Sequence, residues 1–514
     1  MATPPQRLVR LLARPSELTM RVGFNGIAQI VPIVVTIAIT PLLLDRLGLD
    51  QFGIWSLGLI ILNTLTALDG GVAASLARFF AMYAARDARV ETGRLLLGSL
   101  LFFTVLGLGV TAVAYPLAPA VVPLLHVPTQ FRHEATFVLR WLPPLATLAL
   151  MADSTVALLQ GNGQFRALAV AMSVSSGTFV IAVVVLVQPG TQLRALIIAT
   201  ALRYVVLMAT SLAFAARHIS IGRPPLPSRS TIRELMRYAS RMQLSAVTGF
   251  VNGEMDALVI AAVLPIRYVG LYSVGMQAAS AARSLPLYAF APLLTRLTAT
   301  FRNEGRRAAA TDFWRLEMTW LPVVLGYGVV AVAAIGFSIP LWLGDRYVLS
   351  GVVAAILLSG FVVHVGFTGM RTCYVRAVGR PGLEARYSVV WTIGNAAFTI
   401  PLAILVGVVG VVTTTAVTGA VASVYFVVLC RKTEGLAVVV PGRRWAVMAT
   451  AAAGLTILGE LLVMRTNLHG FLALGLSGVP PAAAWFILAT GLREAPAKPD
   501  FRPGGHNPTL RRSA

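Results

Sequence analysis

Apolar runs of roughly eighteen or more residues follow one another along almost the whole chain, and no other feature restricts its fold as much. A run of that length matches the ~30 Å hydrocarbon core that a spanning helix must cross. Inside a bilayer the backbone must satisfy its own hydrogen bonds, which leaves helices or closed barrels. Hydrophobic residues fill 57% of the 514 positions and charged residues only 12%, against about 25% charged in an ordinary soluble domain. The stretches between the runs are too short to bury a core of their own. The expected fold class is therefore an all-α polytopic membrane protein. Fourteen spans are expected, at 22–44, 51–70, 95–115, 136–158, 168–187, 196–215, 242–264, 269–295, 316–336, 351–370, 387–407, 410–430, 445–464 and 470–492.

The net charge of +22 would point a soluble protein toward nucleic acid. Here its placement says otherwise. Alternate loops and tails hold 33 of the 42 Lys and Arg, while the opposite set holds seven: Arg46, Arg132, Arg140, Arg194, Arg267, Arg346 and Arg465. By the positive-inside rule this puts both termini in the cytoplasm and supports an even number of spans. Much of the charge then faces anionic lipid, and no nucleic acid is implied. Residues 1–21, with Arg7, Arg10 and Arg14 among leucines, read as a basic amphipathic segment on the inner leaflet. Two arginines escape this account, because Arg203 and Arg283 fall inside spans. An arginine at depth costs at least ~2.5 kcal/mol and persists mainly where it faces a bundle interior or wet cavity.

The chain also repeats itself. Phe52-Gly53-Ile54-Trp55-Ser56-Leu57-Gly58 and Val269-Gly270-Leu271-Tyr272-Ser273-Val274-Gly275 share one pattern, 217 residues apart. Gly161 in Gln160-Gly161-Asn162-Gly163 and Gly379 in Val378-Gly379-Arg380-Pro381 align at an offset of 218, both in tight turns. Six spans in each half make the two repeats parallel. The expected organisation is an N-lobe over 22–215, a basic linker over 216–241 and a C-lobe over 242–430. An appended helix pair over 431–492 and a disordered tail over 493–514 follow.

The repeat aligns two helix breaks. Asp69-Gly70-Gly71 interrupts span 2, and Pro286-Leu287-Tyr288 interrupts span 8. Gly-Gly and Pro both weaken the backbone ladder, and matched breaks in two halves point to a transport site. Transmembrane helices also tolerate such residues without functional reason, as at Pro32 and Pro143. The acids within spans are Asp69, Asp153, Glu254, Asp256 and Glu460, each open to coupling or to structural pairing. His364 reads as a packing residue before a proton relay, and Cys373 and Cys430 as free thiols. The sequence contains no nucleotide-binding phosphate loop, zinc-protease helix or hydrolase elbow with its context, so no enzyme activity is expected.

These motifs resemble the multidrug/oligosaccharidyl-lipid/polysaccharide (MOP) flippase superfamily, in its polysaccharide transporter branch. The resemblance rests on Pro41-Leu42-Leu43-Leu44, on Leu47 to Trp55, and on Leu68-Asp69-Gly70-Gly71 leading to Ser75 and Arg78. In the second half it rests on Asp256 to Ile260, Val269 to Tyr272 and Ala291-Pro292-Leu293-Leu294, so that it covers about 20–430.

The resemblance implies two six-helix lobes around a cavity that opens to one side at a time, in a bacterial plasma membrane. It implies a polyprenyl-diphosphate-linked glycan as substrate, carried from inner to outer leaflet for cell-surface polysaccharide synthesis. Membrane lipids and the glycosyltransferases or polymerase of the same pathway are the expected partners. Cationic family cavities are matched here by Arg21, Arg78 and Arg283, with Arg241 assisting. An arginine fork donates two hydrogen bonds to phosphate oxygens, which suits a diphosphate. Coupling or gating would involve Asp69, Gly70, Gly71, Asp153, Asp256 and Pro286, with a proton or sodium ion as driver and no cofactor. The competing expectation is a cation-coupled exporter of amphiphilic drugs or metabolites, in which the carboxylates dominate.

Overall fold

The computed structural model describes residues 15–67, 72–188, 192–220, 226–287, 290–438, 442–465 and a few positions from 476 to 484. Asp69, Gly70, Gly71, most of span 14 and the tail lie outside the described residues. Thirteen α-helices and no strand occur among those described: α1 Pro15–Ala67, α2 Val72–Ala84, α3 Arg89–Val121, α4 Arg132–Gly161, α5 Phe165–Leu186, α6 Gln192–Ala215, α7 Arg229–Val263, α8 Arg267–Leu287, α9 Phe290–Leu343, α10 Val348–Ala377, α11 Gly382–Val406, α12 Val408–Glu434 and α13 Arg443–Met464. Among the described residues, ten helical stretches are long and apolar enough to cross a membrane. The chain is a multi-pass membrane protein.

Local sequence explains where the helices start and stop. α7 begins at Ser228, whose hydroxyl accepts from the Thr231 amide and so satisfies one of the orphan donors of the first turn. α1 holds two of the expected spans, joined across Gly48 at φ 71°. Just before that kink, Arg46 donates to the carbonyls of Val184 and Val187 at 3.0 and 2.7 Å, capping the C-terminus of α5.

The expected breaks at Asp69-Gly70-Gly71 and at Tyr288 lie outside the described residues, and Pro286 sits inside α8. The described part of α1 reaches Ala67 and α2 is described from Val72; α8 is described to Leu287 and α9 from Phe290, 218 residues after Val72. The backbone repeats with the same offset elsewhere. Asp87 and Gly305 both have positive φ (50° and 84°), as do His126 and Gly344 (48° and 96°), and each pair lies 218 residues apart. These are reversals that the two halves place at equivalent points, whatever side chain occupies them. The turn pairing needs one correction: Gly379 corresponds in geometry to Gly163, at an offset of 216, and not to Gly161. Gly163 and Gly379 both take left-handed φ, and the next amide reaches back five residues, Gln164 to Leu159 and Arg380 to Val375. Both ends close as the same glycine-terminated helix motif.

By contacts the chain divides into two compact units, Met1–Ser273 and Val274–Ala514. In the first, Leu76, Phe80, Leu95, Phe103, Leu150 and Leu158 form a core beneath α4, whose face from Ala149 to Leu159 is almost wholly buried. In the second, Phe313, Met370, Tyr374, Phe426 and Cys430 fill the corresponding space around α10. Both cysteines are buried free thiols.

The second unit corrects a boundary. The loop expected at 371–386 does not begin at Arg371, because α10 continues to Ala377 and Arg371 is 1% exposed. Its guanidinium pairs with the equally buried Glu317 of α9 and donates to the Phe367 carbonyl at 2.7 Å. A neutralised arginine can be enclosed by protein, so the helix need not stop where the apolar run does.

Candidate functional site

The clearest candidate in the second unit grows from a backbone defect. Pro286 of α8 has no N–H, so the carbonyl four residues earlier, at Ala282, loses its helical donor. Tyr327 of α9 supplies the missing bond, donating its hydroxyl to the Ala282 carbonyl at 2.9 Å. The carbonyl left over by the proline is therefore satisfied from a neighbouring helix.

Arg283 lies within the same turn. Its guanidinium rests over the Phe361 ring of α10, 4.3 Å from the centroid, an interaction worth ~0.5–2 kcal/mol. The side chain is half-buried, its Nε finds no acceptor, and no carboxylate pairs with it among the described residues. A cavity of about 510 Å³ lies farther along α8, walled by Leu285, Pro286, Val323, Val324, Tyr327 and Val330, with neither Arg283 nor Phe361 in its lining. The lining is almost entirely apolar. A partly desolvated cation and an apolar hollow on one helix are the two features that a ligand with an anionic head and a hydrocarbon body would need.

The first unit holds a separate group of carboxylates. Asp256 of α7 is 3% exposed, and Glu254 of the same helix accepts from the Asn63 amide of α1 at 3.4 Å. Tyr272 of α8 is buried nearby with an unpartnered hydroxyl, and both carboxylates act on it electrostatically. Asp153 belongs to another pair of helices, on α4 within electrostatic reach of Tyr204 of α6. Arg78 is exposed on α2. Arg21 and Arg241 fall in α1 and α7, but their side chains lie outside what the structure describes, as do Asp69, Gly70 and Gly71 altogether. The structure thus places Arg283 and Pro286 in one turn, and sets Asp256 and Glu254 both within electrostatic reach of Tyr272.

Several participants carry no signal in the sequence. Phe361 and Tyr327 come from helices 78 and 44 residues beyond Arg283, and nothing local marks an aromatic ring as a cation's platform. Glu317 sits at the edge of an apolar run, where a carboxylate reads as a loop residue. Arg203 is also stacked, 5.8 Å from the Phe179 ring centroid. His364 is packed between Trp391 and Tyr387, with Ser423 at 3.4 Å, in keeping with a packing residue.

The repeated heptads meet each other within the first unit. Gly53 of α1 and Gly270 of α8 abut so closely that a Cβ built on Gly270 would lie 3.1 Å from the Leu49 carbonyl and 3.3 Å from the Gly53 amide nitrogen. A Cβ on Gly53 would run into the Ile266 carbonyl.

Comparison with known proteins agrees with this architecture. Residues 99–350 match a family model described as "Polysaccharide biosynthesis protein". Among solved structures, the lipid II flippase MurJ in an inward closed conformation is similar at TM-score 0.64 and 12% identity, over 91% of this chain and 98% of that one. A multidrug resistance MATE family transporter of the MOP superfamily, facing inward, reaches TM-score 0.64 at 14% identity over 80% and 94%. A MOP superfamily transporter from Pyrococcus furiosus, described as having a binding pocket of reverse polarity, reaches 0.58 at 16% identity over 81% and 95%. No curated protein matches in sequence. At these identities the structures speak for the fold.

Proposed function

We propose that the chain is a member of the MOP superfamily of transporters and flippases, and that it flips a polyprenyl-diphosphate-linked oligosaccharide from the inner to the outer leaflet of a bacterial plasma membrane. The observation that carries this reading is Arg283: a half-buried guanidinium stacked on Phe361, with no carboxylate partner among the described residues, on the helix whose Pro286 walls an apolar cavity. A sugar-diphosphate head loses its hydration in a dry core, and a positioned arginine offsets that cost with charge-assisted bonds to phosphate oxygens. The prenyl chain stays in apolar surroundings, for which the hollow at Pro286 offers a wall. The polysaccharide family model over 99–350 supports the same substrate class.

In this account Arg21, Arg78 and Arg241 assist Arg283 in holding the diphosphate near the basic side of the membrane. Alternating access hinges at the paired helix breaks, Asp69-Gly70-Gly71 in one half and Pro286 in the other. Both ends of the chain face the cytoplasm, on the charge distribution of the loops.

A second reading is a cation-coupled exporter of amphiphilic compounds, favoured by the buried Asp256 with Glu254 and Tyr272. The two separate in cells that have lost the gene. A flippase defect leaves lipid-linked repeat units accumulated on the cytoplasmic leaflet, measured by protection from an impermeant glycan-modifying reagent. Normal surface exposure of those units, with increased sensitivity to cationic amphiphiles, would favour the exporter.

A further inference from the structure

Away from Arg283, α11 and α12 present a different kind of surface. They run antiparallel in tight register: the Tyr387 and Phe426 rings stack at 4.7 Å, a Cβ on Gly394 would touch Thr418 at 3.3 Å, and the Thr415 hydroxyl donates to the Asn395 side-chain carbonyl at 3.3 Å. One row of α11 (Leu383, Tyr387, Trp391, Asn395, Thr399 and Ala403) is buried. The adjoining row is open. Val390, Gly394, Phe398 and Leu402 form one wall of a groove of about 410 Å³, and Thr414, Val417, Thr418 and Val421 of α12 form the other. Phe398 is 58% exposed and Val421 59%, so the groove faces outward. From Val390 to Leu402 it runs ~18 Å at 1.5 Å per residue, about the depth of one leaflet of a ~30 Å hydrocarbon core.

The basic end of this groove is chemically unbalanced. Four residues before Val390, the same row reaches Arg386. On α12 the row through Val417, Val421, Val424 and Val428 ends at Arg431, with Lys432 next to it. All three cations are exposed and form no ion pair among the described residues. The two helices carry one carboxylate each, and both are taken. Glu384 accepts two bonds from Arg376, and Glu434 binds Arg380 at 2.8 Å as well as Arg306. Neighbouring arginines are thus neutralised by protein, while Arg386, Arg431 and Lys432, which continue the two rows beyond the groove toward its basic end, are left for something else.

We propose that this groove is a binding site for one acidic phospholipid, with an acyl chain along Val390, Gly394 and Phe398 and the phosphate between Arg386, Arg431 and Lys432. The absent side chain at Gly394 gives the chain its depth. Three cations around one phosphate exceed what a zwitterionic headgroup can use, since its own ammonium competes for the phosphate. The groove is therefore selective by charge. On the placement of basic loops in the cytoplasm, the lipid belongs to the inner leaflet. The proposal does not depend on what the protein transports.

The test is native mass spectrometry of the full-length protein in detergent, titrated with dioleoyl-phosphatidylglycerol and, separately, with dioleoyl-phosphatidylethanolamine. The expected result is one retained phosphatidylglycerol, bound at least tenfold more tightly than phosphatidylethanolamine and not displaced by inorganic phosphate. The variant Arg386→Gln/Arg431→Gln/Lys432→Gln should lose that preference. The control Arg302→Gln/Arg307→Gln, which removes two exposed cations of α9, should keep it. Matching thermal unfolding midpoints show that both variants are folded. In the wild type, a phosphatidylglycerol with a photoactivatable acyl chain should label peptides spanning 390–402 or 414–421. Equal affinity for the two lipids, retained preference in the triple variant, or labelling confined to other helices would each overturn the proposal. A groove filled by a second copy would instead show as a dimer that excludes the lipid, and would overturn it too.

Discussion

Gly53 and Gly270, equivalent residues of the two sequence repeats, are packed against each other. A Cβ on Gly270 would sit 3.3 Å from the Gly53 amide nitrogen, and one on Gly53 would lie 3.4 Å from the Gly270 nitrogen. The duplicated heptad is thus a contact as well as a memory of duplication: each copy supplies the small residue that lets the other's backbone approach. Close backbone approach through glycine is how membrane helices associate without a hydrophobic driving force.

The contact is asymmetric, and the asymmetry is measurable. Gly53→Ala forces a methyl into the Ile266 carbonyl, which belongs to backbone and cannot rotate away. Overpacking of this kind costs ~1–3 kcal/mol. Gly270→Ala asks its neighbours to yield only a few tenths of an ångström. Thermal unfolding in detergent should show a clearly lower midpoint for Gly53→Ala than for Gly270→Ala.

Tyr327 and Pro286 should be coupled. Tyr327→Phe leaves the Ala282 carbonyl without a donor, at a cost of ~1–3 kcal/mol. Pro286→Ala restores an amide to that carbonyl, so Tyr327→Phe in the Pro286→Ala background should cost little. A double-mutant cycle on unfolding midpoints reads this directly. Additive losses would mean that the tyrosine does not serve the proline break.

The Arg371–Glu317 pair is enclosed on both sides, with exposures of 1% and 0%. Removing either partner strands a buried charge, and breaking such pairs costs about 3–5 kcal/mol. Arg371→Met or Glu317→Leu alone should sharply reduce the folded yield, measured by fluorescence size-exclusion chromatography. The combined variant should recover most of it.

How much of this could be read from the sequence depends on the range of the interaction. The repeat follows from local chemistry, and an offset near 217 between the two heptads exposed it; the positive-φ pairs at Asp87/Gly305 and His126/Gly344 carry that offset in the backbone, where the letters do not match. Arg283 was legible because an arginine within an apolar run has few explanations. Its platform Phe361 was not, nor the rescue of Ala282 by Tyr327, since those contacts join helices tens of residues apart. Arg371 was misread for a related reason. Its charge marks a loop only if nothing neutralises it, and the neutralising Glu317 lies 54 residues earlier. Gly161 was paired with Gly379 by a match of letters, whereas the left-handed φ that closes the helix belongs to Gly163.

The central claim is that Arg283 receives the phosphate of a lipid-linked glycan. Proteoliposomes containing the full-length protein and a fluorescent polyprenyl-diphosphate sugar measure it most directly, through the fraction of substrate that becomes accessible to an external quencher or enzyme. The wild type should flip this lipid, Arg283→Ala at equal reconstituted density should fall at least tenfold, and Arg283→Lys should be intermediate because it keeps the charge and loses the planar fork. Full-rate flipping by Arg283→Ala would contradict the account.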